Sequence, residues 1–465
     1  MTANPMSTDL EWHAQRLASA SLGTWLGEVP VLPSAAHIVT DTRKIQAGDV
    51  FLALRGERFD AHDFAAQAVA AGAGALIVSR PIDSVTIPQL LVDDTRLALG
   101  RLGAAQRAAL PALRVVALTG SSGKTTTKEM LGSILSLSAP TLMTRGNLNN
   151  DLGVPMMLLE LNATHQYAVM ELGANHVGEI AYTTAMVQPQ VAGVLNIGTA
   201  HVGEFGGRDG IARAKSEIFS GLSAEGVAVV ATAGDFVEVV AAAAAPYRCV
   251  RFGAGGEVWA ESIELLASCS QFHLCTATSR TPVALPFAGR HNIDNALAAA
   301  AFALALDITL SQIATGLSQT MGVKGRLAFS QHGRLTLIDD TYNANPHSMR
   351  AAAQVLCAQA GTRIMITGDI GELGDLTCSE HDALGAALAA LPVDHLLAVG
   401  QFAPHTLAGW QRVRPTQASA YADKAALLAD LNTLIDGTTG DIALLFKGSR
   451  SATIETLIHD LLETR

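Results

Sequence analysis

The run Leu113-Arg114-Val115-Val116-Ala117-Leu118, followed at once by Thr119-Gly120-Ser121-Ser122-Gly123-Lys124-Thr125-Thr126, decides the fold of this chain. A short, largely apolar segment of strand length enters a glycine turn, and helical spacing begins beyond it. Strand, tight turn and helix in that order form the first step of a doubly wound α/β domain. Gly120 and Gly123 let the backbone wrap a phosphate, and the N–H groups at the helix start point towards it. Lys124 reaches the β and γ oxygens, and the Thr125 hydroxyl suits Mg²⁺. Leu118 stands where the longer form of this loop has another glycine, so this is the shortened G-x-x-G-K-T version. Gly120, Ser121, Ser122, Gly123, Lys124, Thr125 and Thr126 are thus the candidate ATP cradle. A glycine turn with an incidental lysine is the alternative. The loop by itself does not separate kinase, ATPase and ligase.

The same alternation extends in both directions. Apolar strands at Tyr167 to Met170, Val191 to Asn196 and Val227 to Ala231, with helices between them, predict a central domain with a mainly parallel sheet. Before the loop, short strands (Val50 to Leu54, Ala75 to Val78, Gln89 to Val92) and a helix near Phe64 to Ala71 predict a small α/β domain. Helical spacing over Leu97 to Leu110 ends at Pro111. After Gly325, strands at Leu335 to Asp339, Arg363 to Thr367, His395 to Val399 and Ile442 to Phe446 predict a third, Rossmann-like α/β unit. The expected architecture is α/β in three domains, over residues 1–93, 94–324 and 325–465.

Composition agrees. A chain of 465 residues exceeds one ordinary core. With 49% hydrophobic and 16% charged residues it reads as globular and well buried. The net charge of −11 and the lack of a basic run argue against a nucleic-acid partner. Cys249, Cys269, Cys275, Cys357 and Cys378 show no C-x-x-C spacing, which argues against a zinc site or disulfide framework and suits a reducing cytoplasm. Met1 to Trp12 has no apolar core of signal-peptide type. The longest apolar stretch, Ala296 to Leu306, is short of the roughly 20 residues a bilayer requires and reads as a buried helix. A cytoplasmic protein without membrane insertion is expected, and a monomer is the default because no coiled-coil seam is visible.

Further motifs narrow the function. In order they are Gly146-Asn147-Leu148-Asn149-Asn150, Met170-Glu171-Leu172-Gly173-Ala174-Asn175, Ala200-His201 with Glu204 to Gly207, and Ala214-Lys215-Ser216-Glu217-Ile218-Phe219. Gly289-Arg290-His291-Asn292 with Asn295, Asp339-Asp340-Thr341-Tyr342-Asn343-Ala344-Asn345-Pro346 and Lys447-Gly448-Ser449-Arg450 follow. The ordered set closely resembles the Mur ligase family of bacterial cell-wall synthesis, and within it the MurF type. The resemblance runs from Asp41-Thr42-Arg43 to Arg450. Thr232-Ala233-Gly234-Asp235 departs from it, standing where such ligases often carry Asn and paired Asp.

The resemblance implies an ATP-dependent ligase that activates a carboxylate as an acyl phosphate and lets an amine displace phosphate through a tetrahedral intermediate. UDP-N-acetylmuramoyl-tripeptide would supply the carboxylate and D-alanyl-D-alanine the amine. The 1–93 domain would bind the UDP substrate, 94–324 the ATP, and 325–465 the dipeptide while closing on ATP. Two Mg²⁺ ions are implied, with Thr125, Glu171, His201 and Lys215 as ligands, Lys215 as a carbamate made with carbon dioxide. Catalysis falls to Lys124, His201, Lys215 and Arg326. Asn292 and Asn295 would approach the adenine, Arg326 the γ-phosphate, and Asp340 the nucleotide from the third domain. Thr42 and Arg43, beside Gly56-Glu57-Arg58-Phe59-Asp60, match the UDP side, and Asn147, Asn149 and Asn150 the muramoyl-peptide side. Tyr342, Asn343, Asn345 and Arg450 are the candidates for the incoming dipeptide.

Blander readings stand beside these. Glu171 can be a solvated strand-end carboxylate, His201 a surface residue, Lys215 a member of a surface ion pair, and Asn295 a helix cap. Asn147, Asn149 and Asn150 can be ordinary turn residues. The rival functions are a sister amide ligase with another amine or carboxylate, a P-loop kinase or ATPase, and a non-catalytic nucleotide-binding scaffold.

Overall fold

The structure is a computed structural model that describes residues 10–56, 59–199 and 202–465. Its strands form four sheets. The first contains β1 (Thr24–Leu26), β2 (Ile38–Val39), β3 (Val50–Leu52), β4 (Ala75–Val78) and β5 (Gln89–Leu91), in the order β1-β5-β4-β3-β2. Only β1 in this sheet runs antiparallel to its neighbour.

The central sheet contains β6 (Arg114–Thr119), β7 (Thr141–Met143), β8 (Tyr167–Glu171), β9 (Val191–Val194), β10 (Val227–Ala231) and β11 (Arg248–Phe252). Its order is β11-β10-β9-β6-β8-β7, parallel throughout. Successive side chains of a strand point to opposite faces. Val116, Leu118, Val169 and Val229 accordingly join one core with the helices Lys124–Ser136 and Arg290–Ala305. Val115, Ala117, Ala168, Met170, Ala228 and Val230 join the core on the other face, with the helices Glu179–Val187 and Arg208–Ser216. Burial on both faces is why these strands read as unbroken apolar runs. The Ala296 to Leu306 stretch forms the second part of the long helix Arg290–Ala305 and its cap, with the alanines buried against the sheet.

A three-stranded antiparallel sheet follows, β12 (Trp259–Leu265), β13 (Ser270–Cys275) and β14 (Arg280–Leu285). The sequence reading did not anticipate it. Its outward positions are mostly polar, while Phe272, Leu274, Val283 and Leu285, with Ala260 and Ile263, pack on the core of the alanine helix.

The last sheet contains β15 (Ala328–His332), β16 (Leu335–Asp339), β17 (Thr362–Gly368), β18 (His395–Val399), β19 (Ala418–Tyr421) and β20 (Ile442–Lys447). It runs β15-β16-β20-β17-β18-β19, parallel except for β15, with a core on each face.

The helix Thr95–Ala108 is shared between the first two units. Ala98, Leu99 and Leu102 complete the first core, while Gln106 and Arg107 donate to the carbonyls of Leu161, Val187 and Gln188 of the central unit. No helix of the described residues is long and apolar enough to cross a membrane.

Candidate active site

The carboxyl ends of β6, β8 and β9 converge on one site. β6 ends at Thr119, and Gly123, with φ of 78°, caps the helix Lys124–Ser136. The turn is pinned from the end of β9. Ser121 N donates to Asn196 O at 3.1 Å, Ser122 N to Asn196 Oδ1 at 3.0 Å, and Asn196 Nδ2 to Ser122 O at 3.0 Å. Gly198 N donates to Ser121 Oγ at 2.8 Å. Lys124 Nζ donates to Gly120 O at 2.9 Å, which holds the ammonium over the loop. Burial pushes the Lys124 pKa down, against the raising influence of Glu171 and Glu372. Asn196 was not singled out from sequence. Its position just beyond an apolar strand was the one available signal.

Gly123 is required twice over. Its backbone is left-handed, and a Cβ there would fall 2.2 Å from Asn295 Oδ1. Gly123→Ala should cost at least about 1 kcal/mol from backbone strain alone, and should also displace Asn295 from the loop. A lower thermal midpoint together with weaker binding of an ATP analogue is the expected result. An alanine variant matching the parent in both would mean that the loop tolerates the side chain.

Asn295 is the sixth residue of its helix, whose cap is Gly289, so the cap alternative is corrected. Its amide nitrogen donates to Asn292 Oδ1 at 3.1 Å, and Asn292 Nδ2 donates to Ala288 O at 2.8 Å. Both asparagines are buried. Beside them a cavity of about 70 Å³ is lined by Gly289, Arg290 and His291 and, from the third unit, by Ala351, Gln354 and Val355. Burial, with help from Lys447 and His347, lowers the His291 pKa to about 4 and keeps the ring neutral.

Glu171 closes β8 next to the loop. It is 2% exposed, which excludes a solvated carboxylate. Thr125 Oγ1 donates to its Oε2 at 3.0 Å, and Asn149 Nδ2 donates to its Oε1 at 2.8 Å. A hydroxyl and a carboxylate are the hard oxygen donors that Mg²⁺ takes. Among the described residues no three of His, Cys, Asp and Glu form a group that could hold a metal ion by themselves. That sparse set fits an ion which completes its shell with water and phosphate oxygens rather than with protein side chains.

Lys215 lies in the last turn of the helix Arg208–Ser216 and is 2% exposed, so it is no surface ion-pair lysine. Burial, then the nearby Lys124 charge, lower its pKa to about 7, with Glu171 opposing. Arg208 at the start of that helix pairs with Asp235, which accounts for the carboxylate of the departing Thr232–Asp235 loop. His201, like Ala200, Glu57 and Arg58, lies outside the described residues.

The third unit reaches into this site. Arg326 Nη2 donates to Thr125 Oγ1 at 3.0 Å, and its guanidinium lies 4.4 Å from the Tyr342 ring centroid. Its buried Nε has no hydrogen-bond partner. Asp340 Oδ1 accepts from Leu327 N at 3.2 Å, which fixes the segment carrying Arg326. The other Asp340 oxygen lies 2.6 Å from Lys447 Nζ, which also donates to Asn343 O at 2.9 Å. Burial pushes the Asp340 carboxyl upward while Lys447 and Arg326 hold it down. Lys447 stood in a quoted motif without an assigned role. Its buried pairing with Asp340 depends on β16 and β20 being neighbours, which the sequence did not display.

The remaining candidates are placed variously. Asn345 caps the helix Pro346–Cys357 in a reciprocal box with Ser348, and its Nδ2 meets Ser121 O of the phosphate loop at 3.4 Å. Asn343 Oδ1 accepts from Arg450 N at 3.3 Å, but the exposed Arg450 guanidinium pairs with Glu455 at 2.7 Å. Asn150 Oδ1 accepts from Gly153 N, an ordinary turn role, and Asn147 is exposed. Thr42 opens a short 3-10 turn, and Arg43 forks onto Asp41 at 2.9 and 2.8 Å on the surface. That bond holds the Asp41 carboxyl at about 2. The structure therefore brings together Lys124, Thr125, Asn149, Glu171, Arg326, Asn345 and Asn295 around the loop, with Lys215 close enough to feel the charges of Lys124 and Glu171. The Arg43 and Arg450 guanidinium groups pair with the neighbouring Asp41 and Glu455 carboxylates.

Comparisons with known proteins follow the same outline. Three family models match: the Mur ligase catalytic domain over residues 35–107, the Mur ligase middle domain over 118–303, and the Mur ligase glutamate ligase domain over 325–450. The UDP-N-acetylmuramoyl-tripeptide–D-alanyl-D-alanine ligase of Escherichia coli (strain K12) is 47% identical over 92% of this chain and 93% of its own length. The crystal structure of MurF from Acinetobacter baumannii is 56% identical with a TM-score of 0.93, covering 97% of this chain and 99% of that one. MurF from Thermotoga maritima, solved in complex with ADP, is 28% identical with a TM-score of 0.82, covering 92% and 98%. A match of this extent, across all three units and around the phosphate loop alike, places the chain in the Mur ligase family, in its MurF type.

Proposed function

We propose that this chain joins the amino group of D-alanyl-D-alanine to the terminal carboxylate of UDP-N-acetylmuramoyl-tripeptide, converting ATP to ADP and phosphate. The observation that carries the reading is the convergence of Lys124, Thr125 and Glu171 with Arg326, which arrives from the third unit. A carboxylate is a poor electrophile at neutral pH. Phosphorylation gives it a leaving group, the amine adds to form a tetrahedral intermediate, phosphate departs, and the nitrogen loses a proton. Phosphoryl transfer of this kind is catalysed mainly by positioning and charge stabilisation. In this reading Lys124 and Arg326 meet the β/γ-phosphate charge from two sides, and Asn345 and Asn196 hold the loop in shape. Thr125 and Glu171 would hold Mg²⁺, which neutralises phosphate charge when bound. Lys215, as a carbamate, and His201 would serve a second ion. Asn149 would pass from Glu171 to the muramoyl-peptide side, and Asp340 would present the third unit to the nucleotide. Tyr342, Asn343, Asn345 and Arg450 are the candidates for the incoming dipeptide.

The test measures phosphate release from ATP with the UDP-tripeptide and the dipeptide, each omitted in turn, and weighs the product by mass spectrometry. Release only when both are present, with a pentapeptide product, is the expected result. Turnover with a different amine would move the chain to a sister specificity. Release indifferent to both would leave an ATPase.

A further inference from the structure

Lys128 lies one helical turn beyond Lys124, and neither the sequence motifs nor the proposed mechanism uses it. Its side chain is 2% exposed. A buried ammonium is costly to keep, and a purely structural position of this size would be filled at least as well by methionine or leucine. Its contacts lead to the site. Lys128 Nζ donates to Thr144 O at 2.6 Å and lies 2.7 Å from Glu129 Oε1. Thr144, itself 1% exposed, extends the β7–β8 ladder through its N–H to Val169 O. Its hydroxyl accepts from Glu171 N at 2.9 Å. Immediately after Thr144 the chain enters the loop that brings Asn149 Nδ2 to Glu171 Oε1, and Gly173 N closes on Asn149 O at 2.7 Å. Glu171 is thus fixed at its backbone by Thr144 and at both carboxylate oxygens by Thr125 and Asn149.

We propose that Lys128 is a positioning residue for the metal-binding carboxylate: its ammonium fixes Thr144, and Thr144 fixes Glu171. The inference rests on the reading of Glu171 as an Mg²⁺ ligand. Lys128 ties the helix that begins at the phosphate loop to the strand end that carries Glu171. The Thr125 hydroxyl and the Glu171 carboxylate are thereby held in one spacing. Groups that orient metal ligands typically change metal affinity or activity by about 10- to 100-fold when removed.

The experiment titrates Mg²⁺ into the full chain holding a non-hydrolysable ATP analogue and reads binding by calorimetry, beside a titration at fixed ATP, UDP-tripeptide and dipeptide read as phosphate release. Lys128→Met is expected to raise the half-saturating Mg²⁺ concentration about tenfold, with little change in KM for the dipeptide. Thr144→Val, which removes the hydroxyl and keeps the shape, should raise it in the same direction. The double variant should shift it no further than the larger single, because both act through one chain of contacts. Thr144→Val carries the test if Lys128→Met does not fold. Glu171→Gln separates the two levels of inference. If Glu171→Gln shifts the Mg²⁺ dependence and both Lys128→Met and Thr144→Val stay within twofold of the parent, Lys128 has no positioning role. If Glu171→Gln itself leaves the dependence unchanged, the metal reading of Glu171 fails first.

Discussion

Lys124→Met should lower kcat by about a thousandfold while leaving the fold intact. The substitution keeps a side chain of similar length and removes the positive charge. A preorganised donor aimed at charge that develops in the transition state is worth on the order of 10²–10³ in rate, and Lys124 adds a full charge in a partly dry site. The loop loses one bond, from the Lys124 ammonium to Gly120 O, and keeps the others. Its shape comes from Asn196, Gly198 and Asn345 acting on Ser121 and Ser122, none of which contacts the Lys124 ammonium. Burial disfavours that ammonium, as the direction of its pKa shift records. Its removal should therefore hold or raise the thermal midpoint. The check is steady-state phosphate release beside a melting curve. Retention of more than about a tenth of the parent turnover would remove Lys124 from the catalytic role given to it, and loss of folding would give it a structural one.

The second large effect is expected at Lys215. A carbamate forms when an uncharged amine attacks carbon dioxide and the product loses a proton. An exposed lysine is almost wholly charged at neutral pH, whereas burial and the Lys124 charge bring Lys215 to about 7. The neutral amine population therefore grows as pH rises through 7, and carbamate formation should rise with it between about pH 6 and 8. The reaction also replaces repulsion between two lysines with attraction. ¹³C NMR of the full chain in ¹³C-bicarbonate should show a carbamate resonance that strengthens over this pH interval and is absent from Lys215→Ala. The same variant should lose on the order of 10²–10³ in kcat. Part of that loss should return with added acetate, which places a carboxylate in the space left by the side chain. No carbamate signal in the parent, with activity retained in Lys215→Ala, would return Lys215 to an uncharged packing residue.

The sequence determined a good deal of this protein. The glycine turn between an apolar strand and a helix is local chemistry, so the phosphate loop was legible from Thr119 to Thr126 without any knowledge of the fold. Strands buried on both faces must be apolar at successive positions, and Tyr167 to Met170, Val227 to Ala231 and His395 to Val399 could be read for that reason. The antiparallel sheet from Trp259 to Leu285 was not legible, because one face meets water and its apolar signal is diluted by alternation. Glu171 stood out because it ends such a run two residues before a glycine.

Tertiary structure decided what each side chain does. Arg326 and Thr125 are 201 residues apart in the chain, and only the packing of the third unit on the central one brings them to 3.0 Å. Lys447 and Lys128 look like ordinary lysines in sequence, yet neighbouring strands and the buried residue after β7 turn their ammonium groups onto Asp340 and Thr144. Arg450 and Arg43 show the reverse. Their motifs point to substrate, and in the structure each guanidinium pairs at the surface with a carboxylate within a few residues. Residue identity fixes which interactions a side chain can make, and the distance the fold imposes selects the one it does make.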